Sequence, residues 1–157
     1  MKSVGLNCPT VLLLHNRIPE NAGVDDTDTM VQVSAVGEAL AQIGFLAKPI
    51  EIGWDLGEIE RAMKEYNPSF AFNLVESLQG HGRLIHVVAS VLDALGLPYT
   101  GAPSDAIYQT SHKTLAKALL RANEIGTPAW LEIPTHDPSR IAFDPPYIVK
   151  SLWEHAS

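Results

Sequence analysis

Hydrophobic residues along the chain fall into short apolar runs that alternate with helical repeats. Val11 to Leu14 is an uninterrupted apolar run, which is typical of a strand buried on both faces of a parallel sheet. Apolar residues then recur at helical spacing between Met30 and Ile43, and Gly44 follows as a stop signal. The intervening residues 15–28 show no periodicity, so the pattern predicts a long loop there.

The segments that follow repeat this alternation. They are a strand from Phe45 to Ile52, a helix from Leu56 to Tyr66 capped by Asp55, a strand from Ser69 to Asn73, a helix from Leu84 to Leu95 and a short strand at Tyr99 and Thr100. Pro49 favours an edge position for the second strand, and Gly96 ends the apolar helix, which we expect to be buried between layers. Strands and helices in this order predict an α/β fold with an open, Rossmann-like parallel sheet and helices on both faces.

A parallel sheet of this kind gathers the carboxyl ends of its strands at one edge. Right-handed connections between the strands would bring His15, Asn73 and Gly101 to that edge. Ligands of open α/β sheets bind in the crevice outside the carboxyl ends of the strands. We therefore predict the ligand site at this edge.

The sequence pattern of the chain changes after Gly126. Two strand-like segments follow, from Thr127 to Ile133 and from Tyr147 to Lys150, with a proline-rich connection between them. These segments predict a second structural unit. We assign residues 1–110 to the open-sheet domain and residues 111–157 to a linking helix and the beginning of the second unit.

Composition narrows the class of protein. With 157 residues, 46% of them hydrophobic and 18% charged, the chain suits one soluble globular domain with a real core. No apolar run is long enough to cross a bilayer and no signal-peptide pattern opens the chain, so we expect a cytoplasmic protein without a membrane partner. The single cysteine, Cys8, excludes an internal disulfide and a zinc-cysteine site.

The net charge of -7 is unevenly distributed. Residues 1–112 hold thirteen acidic and six basic residues, whereas residues 113–157 hold five of each. A nucleic-acid partner would require a concentrated basic face, so this distribution argues against one. A bound anion is expected near the later segment.

Four cationic residues of that segment are candidates for anion binding. Lys113, Lys117 and Arg121 are spaced four apart and form one stripe on a helix, which for the last two favours a solvated face. Lys113 lies in the first turn, where backbone N–H groups attract anions, so it is either a phosphate contact or an ordinary helix residue. Lys150 ends an apolar strand and would need a counter-charge, which leaves a ligand contact and a rim position open.

Three other features have a structural and a functional interpretation. The glycine-punctuated loop from Ser77 to Arg83 is either a weak phosphate cradle or a flexible turn. Helix capping explains Asp25, Asp26 and Asp28 with fewer assumptions than a metal site, so no metal ligand is assigned. His86, on an apolar helix, predicts a buried histidine with its hydrogen bonds satisfied.

Several motifs together resemble a known family. They are Leu95-Gly-Leu-Pro-Tyr-Thr-Gly101, a lysine about a dozen residues later followed by a Leu/Ala helix, Gly126-Thr-Pro128, and Pro146-Tyr-Ile-Val-Lys150. In this order and spacing they are similar to the N-terminal portion of D-alanine–D-alanine ligases and related ATP-grasp ligases. The resemblance implies an enzyme that phosphorylates a carboxylate with ATP and joins the acyl phosphate to an amine.

The resemblance also implies roles for individual residues. Lys113, Lys150 and Ser157 match positions that contact nucleotide phosphates. We assign Glu76, His81, Gly82 and Asp25 to the substrate side, although Asn73 to Glu76 replaces the His-Gly pair that these ligases carry after the third strand. No catalytic residue is assigned within the chain.

The same resemblance implies the cofactors and partners. ATP and Mg²⁺ would depend on residues of a later half, so this segment alone is expected to be inactive. The substrates would be amino acids or small peptides, and the protein would be a homodimer. The alternative is a non-catalytic open-sheet domain that binds a small molecule or dimerises.

Overall fold

Three parallel strands form the centre of the protein. The computed structural model describes residues 8–17, 24–132 and 144–153, and for residues 24–27 the backbone alone. Strand β1 spans Thr10–Asn16, β2 spans Leu46–Ile52 and β3 spans Phe70–Asn73, and the strands lie in the order β2-β1-β3. The predicted open parallel sheet is confirmed, and β2, with Pro49, lies at its edge.

The central strand is enclosed on both faces. Val11, Leu12, Leu13 and Leu14 each have 0% of their surface exposed. On either side β1 pairs in parallel, so that Leu12 lies opposite Lys48 of β2 and Ala71 of β3. The prediction of a fully buried strand from an uninterrupted apolar run is confirmed.

Five helices accompany the sheet in the part of the chain that is described. They are α1 Val24–Gln42, α2 Gly57–Tyr66, α3 Ile85–Leu95, α4 Ser104–Ser111 and α5 Lys113–Ala122, with a 3-10 turn Gly82–Leu84 leading into α3. Gly96 ends α3 in the left-handed conformation, with φ 67°, and Leu97 N–H bonds back to the Leu92 carbonyl at 3.2 Å. This is the end of α3 that the sequence predicts.

The helices cover the sheet from both sides. A Cβ added at Gly37 of α1 would lie 4.0 Å from Cδ2 of Leu13, which places α1 against one face of β1. The other face presents Leu12 and Leu14 to a core that includes Ile59 of α2 and Leu92 of α3. Helices on both faces were predicted, and the structure agrees.

Two boundaries near the first helix and the last strand differ from the prediction. The loop predicted over residues 15–28 is wrong at both ends, because β1 continues to Asn16 and α1 already begins at Val24. The sequence from Val24 to Asp28 is acidic, and the dipole of a helix favours acidic residues in its first turn. The predicted strand at Tyr99 and Thr100 is a single parallel bridge to Ala71.

The strands predicted near the C-terminal end are absent from the described residues. Residues 127–132 and 144–153 have no regular secondary structure, and Ile148 and Val149 are 81% and 84% exposed. An extended segment becomes a strand only when a neighbour pairs with its backbone groups, and no described strand does so here. The strand predicted to end at Lys150 is therefore wrong, and Lys150 is exposed.

The turn between α3 and α4 is held by a carboxylate. Asp93, in the last turn of α3, accepts a hydrogen bond from the Tyr99 hydroxyl at 2.8 Å. A second bond from the Ser104 side chain, at the start of α4, is the largest of the effects that lower the pKa of Asp93. Burial, and then the bond to Asp93, raises the pKa of Tyr99 from 10.0 to about 12. Tyr99, which belongs to the motif Leu95 to Gly101, thus has a structural role.

This geometry predicts a specific loss of stability at high pH. Folded Tyr99 keeps its proton above the pH at which the unfolded chain loses it, so the free energy of unfolding should fall between pH 10.0 and about 12. Tyr99→Phe should remove that part of the loss, measured by urea unfolding at a series of pH values. The matched control Tyr108→Phe removes a phenol from α4, and the loss should persist in it. Identical pH profiles for wild type and Tyr99→Phe would contradict the assignment.

Candidate functional site

The carboxyl edge of the sheet carries polar residues from all the elements that end there. The backbone N–H of Asn73, the last residue of β3, donates to Thr100 Oγ1 at 3.1 Å, and Thr100 directly precedes Gly101, which was predicted to lie at this edge. His15 lies at the same edge but is only 6% exposed, and its Nδ1 lies 3.0 Å from the Asn16 carbonyl oxygen. His15 is therefore part of the support of this edge.

A loop of residues 74–82, here called the edge loop, lies across the ends of β1 and β3. Its first residue, Leu74, donates its N–H to the Leu14 carbonyl at 2.8 Å. Farther along, Leu78 and His81 form an antiparallel bridge, closed by Gln79 and Gly80 with φ 51° and 76°. Leu78 is buried with 3% exposed, so the loop has a defined backbone and its own anchor in the core.

The edge loop brings the predicted substrate-side residues together. Glu76 and His81 are exposed on it, while Gly82 is buried at the start of the 3-10 turn. The His81 ring lies 6.0 Å from the Trp54 ring, which comes shortly after the end of β2. Asp25 is in the first turn of α1, and because α1 follows β1 its backbone starts at this same edge. The side chain of Asp25 lies outside the described residues.

An open groove borders the edge on the β2 side. It has a volume of about 330 Å³ and is lined by residues of β2 and α2 together with Arg17. The guanidinium of Arg17 lies 3.6 Å from Glu51 and 3.7 Å from Glu58, so its charge is offset within the groove wall. These ion pairs fix the chain directly after β1.

A second candidate site lies at the junction of α4 and α5. The N–H of Lys113, the first residue of α5, donates to the Leu152 carbonyl at 3.1 Å. The Trp153 ring packs 4.5 Å from the His112 ring, nearly perpendicular to it. Lys150 precedes Leu152 by two residues, so the structure brings the backbones of both candidate phosphate-binding lysines to this junction. Ser157, the third candidate, lies outside the described residues.

His112 caps the helix that carries Lys113. Its Nδ1 accepts a hydrogen bond from Leu115 N–H at 3.2 Å and lies 3.1 Å from Thr114 Oγ1. A ring nitrogen that accepts from a backbone N–H carries no proton, so this cap requires the tautomer with the hydrogen on Nε2. In the first turn of α5, the N–H of Leu115 is thereby satisfied by His112, and the N–H of Lys113 bonds to the Leu152 carbonyl at the junction.

Lys117 and Arg121 have a structural role instead of a purely solvated one. Lys117 Nζ donates to Thr127 Oγ1 and to the Pro128 carbonyl, both at 2.9 Å. The Arg121 guanidinium lies 4.2 Å from the centre of the Trp130 ring, and Lys117 Nζ lies 5.4 Å from it. The predicted cationic stripe therefore divides, because Lys117 and Arg121 contact residues 127–130, whereas the backbone N–H of Lys113 bonds to Leu152.

Two further sequence interpretations can be judged. The prediction for His86 is wrong, because its buried Nδ1 has no hydrogen-bond partner among the described residues, and its ring packs 5.0 Å from Tyr108. Within the described ranges no group of three or more His, Cys, Asp or Glu side chains is arranged to hold a metal ion. None of the helices found there is long and apolar enough to cross a membrane.

Sequence reasoning missed Asn16 and Trp153. Asn16 ends β1 and its side-chain amide bonds to Glu76 and Ser77 of the edge loop. Trp153 connects the last described residues to α4 and α5 through the Tyr108 and His112 rings. A polar amide directly after an apolar strand is the signal that could have identified Asn16, whereas the position of Trp153 depends on tertiary packing.

Known proteins are similar in sequence to most of this chain. A D-alanine–D-alanine ligase of Caulobacter vibrioides is 32% identical over 130 residues, which are 82% of this chain and 38% of that enzyme. The ligase of Methylorubrum extorquens strain PA1 is 28% identical over 125 residues, or 79% of this chain and 39% of its own. The chain thus spans about two fifths of the length of the curated relatives that it matches. No protein-family model matches the sequence.

Solved structures agree on the fold. The D-alanine–D-alanine ligase of Bacillus anthracis matches with a TM-score of 0.55 and 22% identity, over 80% of this chain and 38% of that one. The same enzyme complexed with ATP matches with a TM-score of 0.58 and 22% identity, over 83% and 40%. The resemblance to the N-terminal portion of D-alanine–D-alanine ligases that the motifs predict is confirmed, as is the fold class.

The cap of α5 can be tested by comparing two variants. His112→Ala removes both the cap and the ring contact with Trp153, whereas His112→Asn loses the ring contact but can still accept from the first turn. We expect His112→Ala to be less stable than His112→Asn by about 1 kcal/mol, measured by urea unfolding. Equal stability of the two variants would contradict the cap.

Proposed function

We propose that this chain is the substrate-side N-terminal portion of an ATP-dependent, ADP-forming carboxylate–amine ligase, together with the first elements of its nucleotide-binding part. The observation that carries the proposal is the sequence similarity to D-alanine–D-alanine ligases over about four fifths of the chain. The position of the edge loop supports it, because this loop places three candidate substrate residues outside the carboxyl ends of the strands.

In the proposed reaction a carboxylate is activated before it is joined to an amine. A carboxylate oxygen of the first amino acid attacks the γ-phosphorus of ATP, which forms an acyl phosphate and releases ADP. The amine of the second amino acid or small peptide then attacks the acyl carbon and loses a proton to solvent. Phosphate leaves with the electron pair of the broken C–O bond, and an amide remains.

The edge loop would orient the amino-acid substrate. Glu76 and His81 are exposed on a loop whose backbone is fixed, so both can meet a ligand without being reordered. An exposed carboxylate suits the ammonium group of an amino acid, and a histidine suits a carboxylate. Gly82 is buried at the start of the 3-10 turn and would hold the loop behind His81, and Asp25 would approach from the first turn of α1.

The junction of α4 and α5 would hold part of the nucleotide. Lys113 begins a helix, and the helix dipole favours phosphate at this end. Lys150 lies two residues before the carbonyl that binds the Lys113 backbone, and we propose that both ammonium groups contact the polyphosphate. Ser157 would contribute from the segment that follows.

The proposed enzyme also requires Mg²⁺, which supplies charge neutralisation on the phosphates when it is bound. No described cluster of side chains fits this ion. We therefore assign its ligands to other residues of the complete protein and propose that this segment alone does not turn over. We further propose a cytoplasmic homodimer, and Val31 of α1 and Ile43 after it, which are 61% and 69% exposed, offer apolar surface for self-association.

The ligase proposal predicts amino-acid-dependent release of ADP and phosphate. The full-length protein that carries this segment should release both from ATP and Mg²⁺ when a panel of D- and L-amino acids and dipeptides is supplied. Coupled detection of ADP and mass analysis of the new amide are the measurements. A complete absence of stimulation across the panel would remove the ligase proposal and leave the alternative of a small-molecule-binding or dimerisation domain.

Lys150 provides a separate test of the nucleotide site. Lys150→Ala in the full-length protein should weaken ATP binding by about 1 to 3 kcal/mol, because a charge-assisted bond to phosphate is lost. Lys64→Ala is the matched control, since Lys64 pairs with Glu60 on α2 and its loss should leave the affinity unchanged. Calorimetric titration with ATP measures both. An unchanged affinity in Lys150→Ala would mean that Lys150 does not contact the nucleotide.

A further inference from the structure

We infer that Asn16 is a positioning residue, which holds the edge loop in the conformation that presents Glu76 and His81 to the substrate. The inference rests on the proposed function for the identity of the substrate, and on the geometry at the end of β1 for the role of Asn16. No functional role for Asn16 follows from the motifs of the sequence.

The amide of Asn16 uses both of its polar ends on the edge loop. Its Nδ2 donates to the Ser77 carbonyl at 2.5 Å and lies 3.0 Å from Ser77 Oγ. Its Oδ1 accepts from the N–H of Glu76 at 2.9 Å. One side chain thus satisfies two adjacent residues of the loop.

The partners determine which way the amide faces. The N–H of Glu76 can only donate and the carbonyl of Ser77 can only accept, so the oxygen of Asn16 must face Glu76 and its nitrogen must face Ser77. Aspartate at this position would keep the acceptor and lose the donor. Alanine would lose both.

The contacts join distant parts of the chain at a rigid point. Asn16 and its partners are separated by 60 and 61 residues. The residue after Asn16 is itself fixed, because Arg17 N–H donates to the Ile52 carbonyl at 3.2 Å and its guanidinium pairs with Glu51 and Glu58. Asn16 therefore holds the edge loop against the end of the buried strand β1.

This arrangement fixes the backbone of Glu76 and leaves its side chain exposed. A site built in this way needs no ordering of its loop when the substrate binds, so substrate affinity is not reduced by that cost. Loss of the amide should therefore affect substrate binding more than the chemical step.

Hydrogen exchange directly tests the hydrogen bonds between Asn16 and the edge loop. In the 157-residue chain, the Glu76 amide should exchange about tenfold faster in Asn16→Ala than in wild type, measured by NMR. The isosteric Asn16→Asp guards against misfolding of the alanine variant. Asn16→Asp should accelerate amide exchange at Glu76 less than Asn16→Ala does. Amides of the loop around Ser77 should exchange faster in Asn16→Asp than in wild type. The Ala71 amide, which bonds to the Pro98 carbonyl at 2.8 Å, serves as the internal control and should be unchanged.

Kinetics of the full-length protein test the positioning role. Both variants should raise the KM for the amino acid several-fold with a smaller change in kcat, and Asn16→Asp should fall between wild type and Asn16→Ala. Unchanged exchange at Glu76, or an unaltered KM beside accelerated exchange, would overturn the inference. A wild-type protein without amino-acid-dependent turnover would overturn the proposed function, which the exchange comparison does not depend on.

Discussion

The enclosure of β1 on both faces is the constraint on which the rest of the structure depends. Because Val11 to Leu14 have no exposed surface, this strand can meet solvent or a ligand only at its ends. Its edges are occupied by β2 and β3, and its faces by α1 on one side and by α2 and α3 on the other. For this strand, polar chemistry is thereby confined to its ends, where burial of an unpaired polar group is not required.

The loops and helix starts around the core are secured by single polar side chains. Asn16 holds the edge loop, Asp93 holds the turn into α4, and His112 holds the first turn of α5. Each bond of this kind contributes about 1 kcal/mol, which is less than the burial of one large apolar side chain. The strands that support the candidate sites are therefore held more strongly than the single hydrogen bonds that position the loops.

Local signals in the sequence predict most of the sheet and little of the site. The apolar run at Val11 and the stop at Gly96 are properties of adjacent residues, so the strand and the helix end are found correctly. The pairing of Asn16 with Ser77 joins residues far apart, and no periodic pattern encodes it. Residues 147–150 have the composition of a strand, but a strand also requires a partner, which a sequence pattern cannot supply. Resemblance to a family adds the candidate lysines, which pattern alone leaves undecided.

Helix α5 is attached to the rest of the molecule mainly by single contacts. None of its residues is fully buried, so it gains little from the core. It is attached at its beginning by His112, Leu152 and Trp153, and along its length by Lys117 and Arg121 around Trp130. The helix is therefore held at two points and does not contribute to the core of the domain. Such an element can pivot as a rigid body when either support is exchanged, and the indole rings at the two supports would report that rotation through their fluorescence.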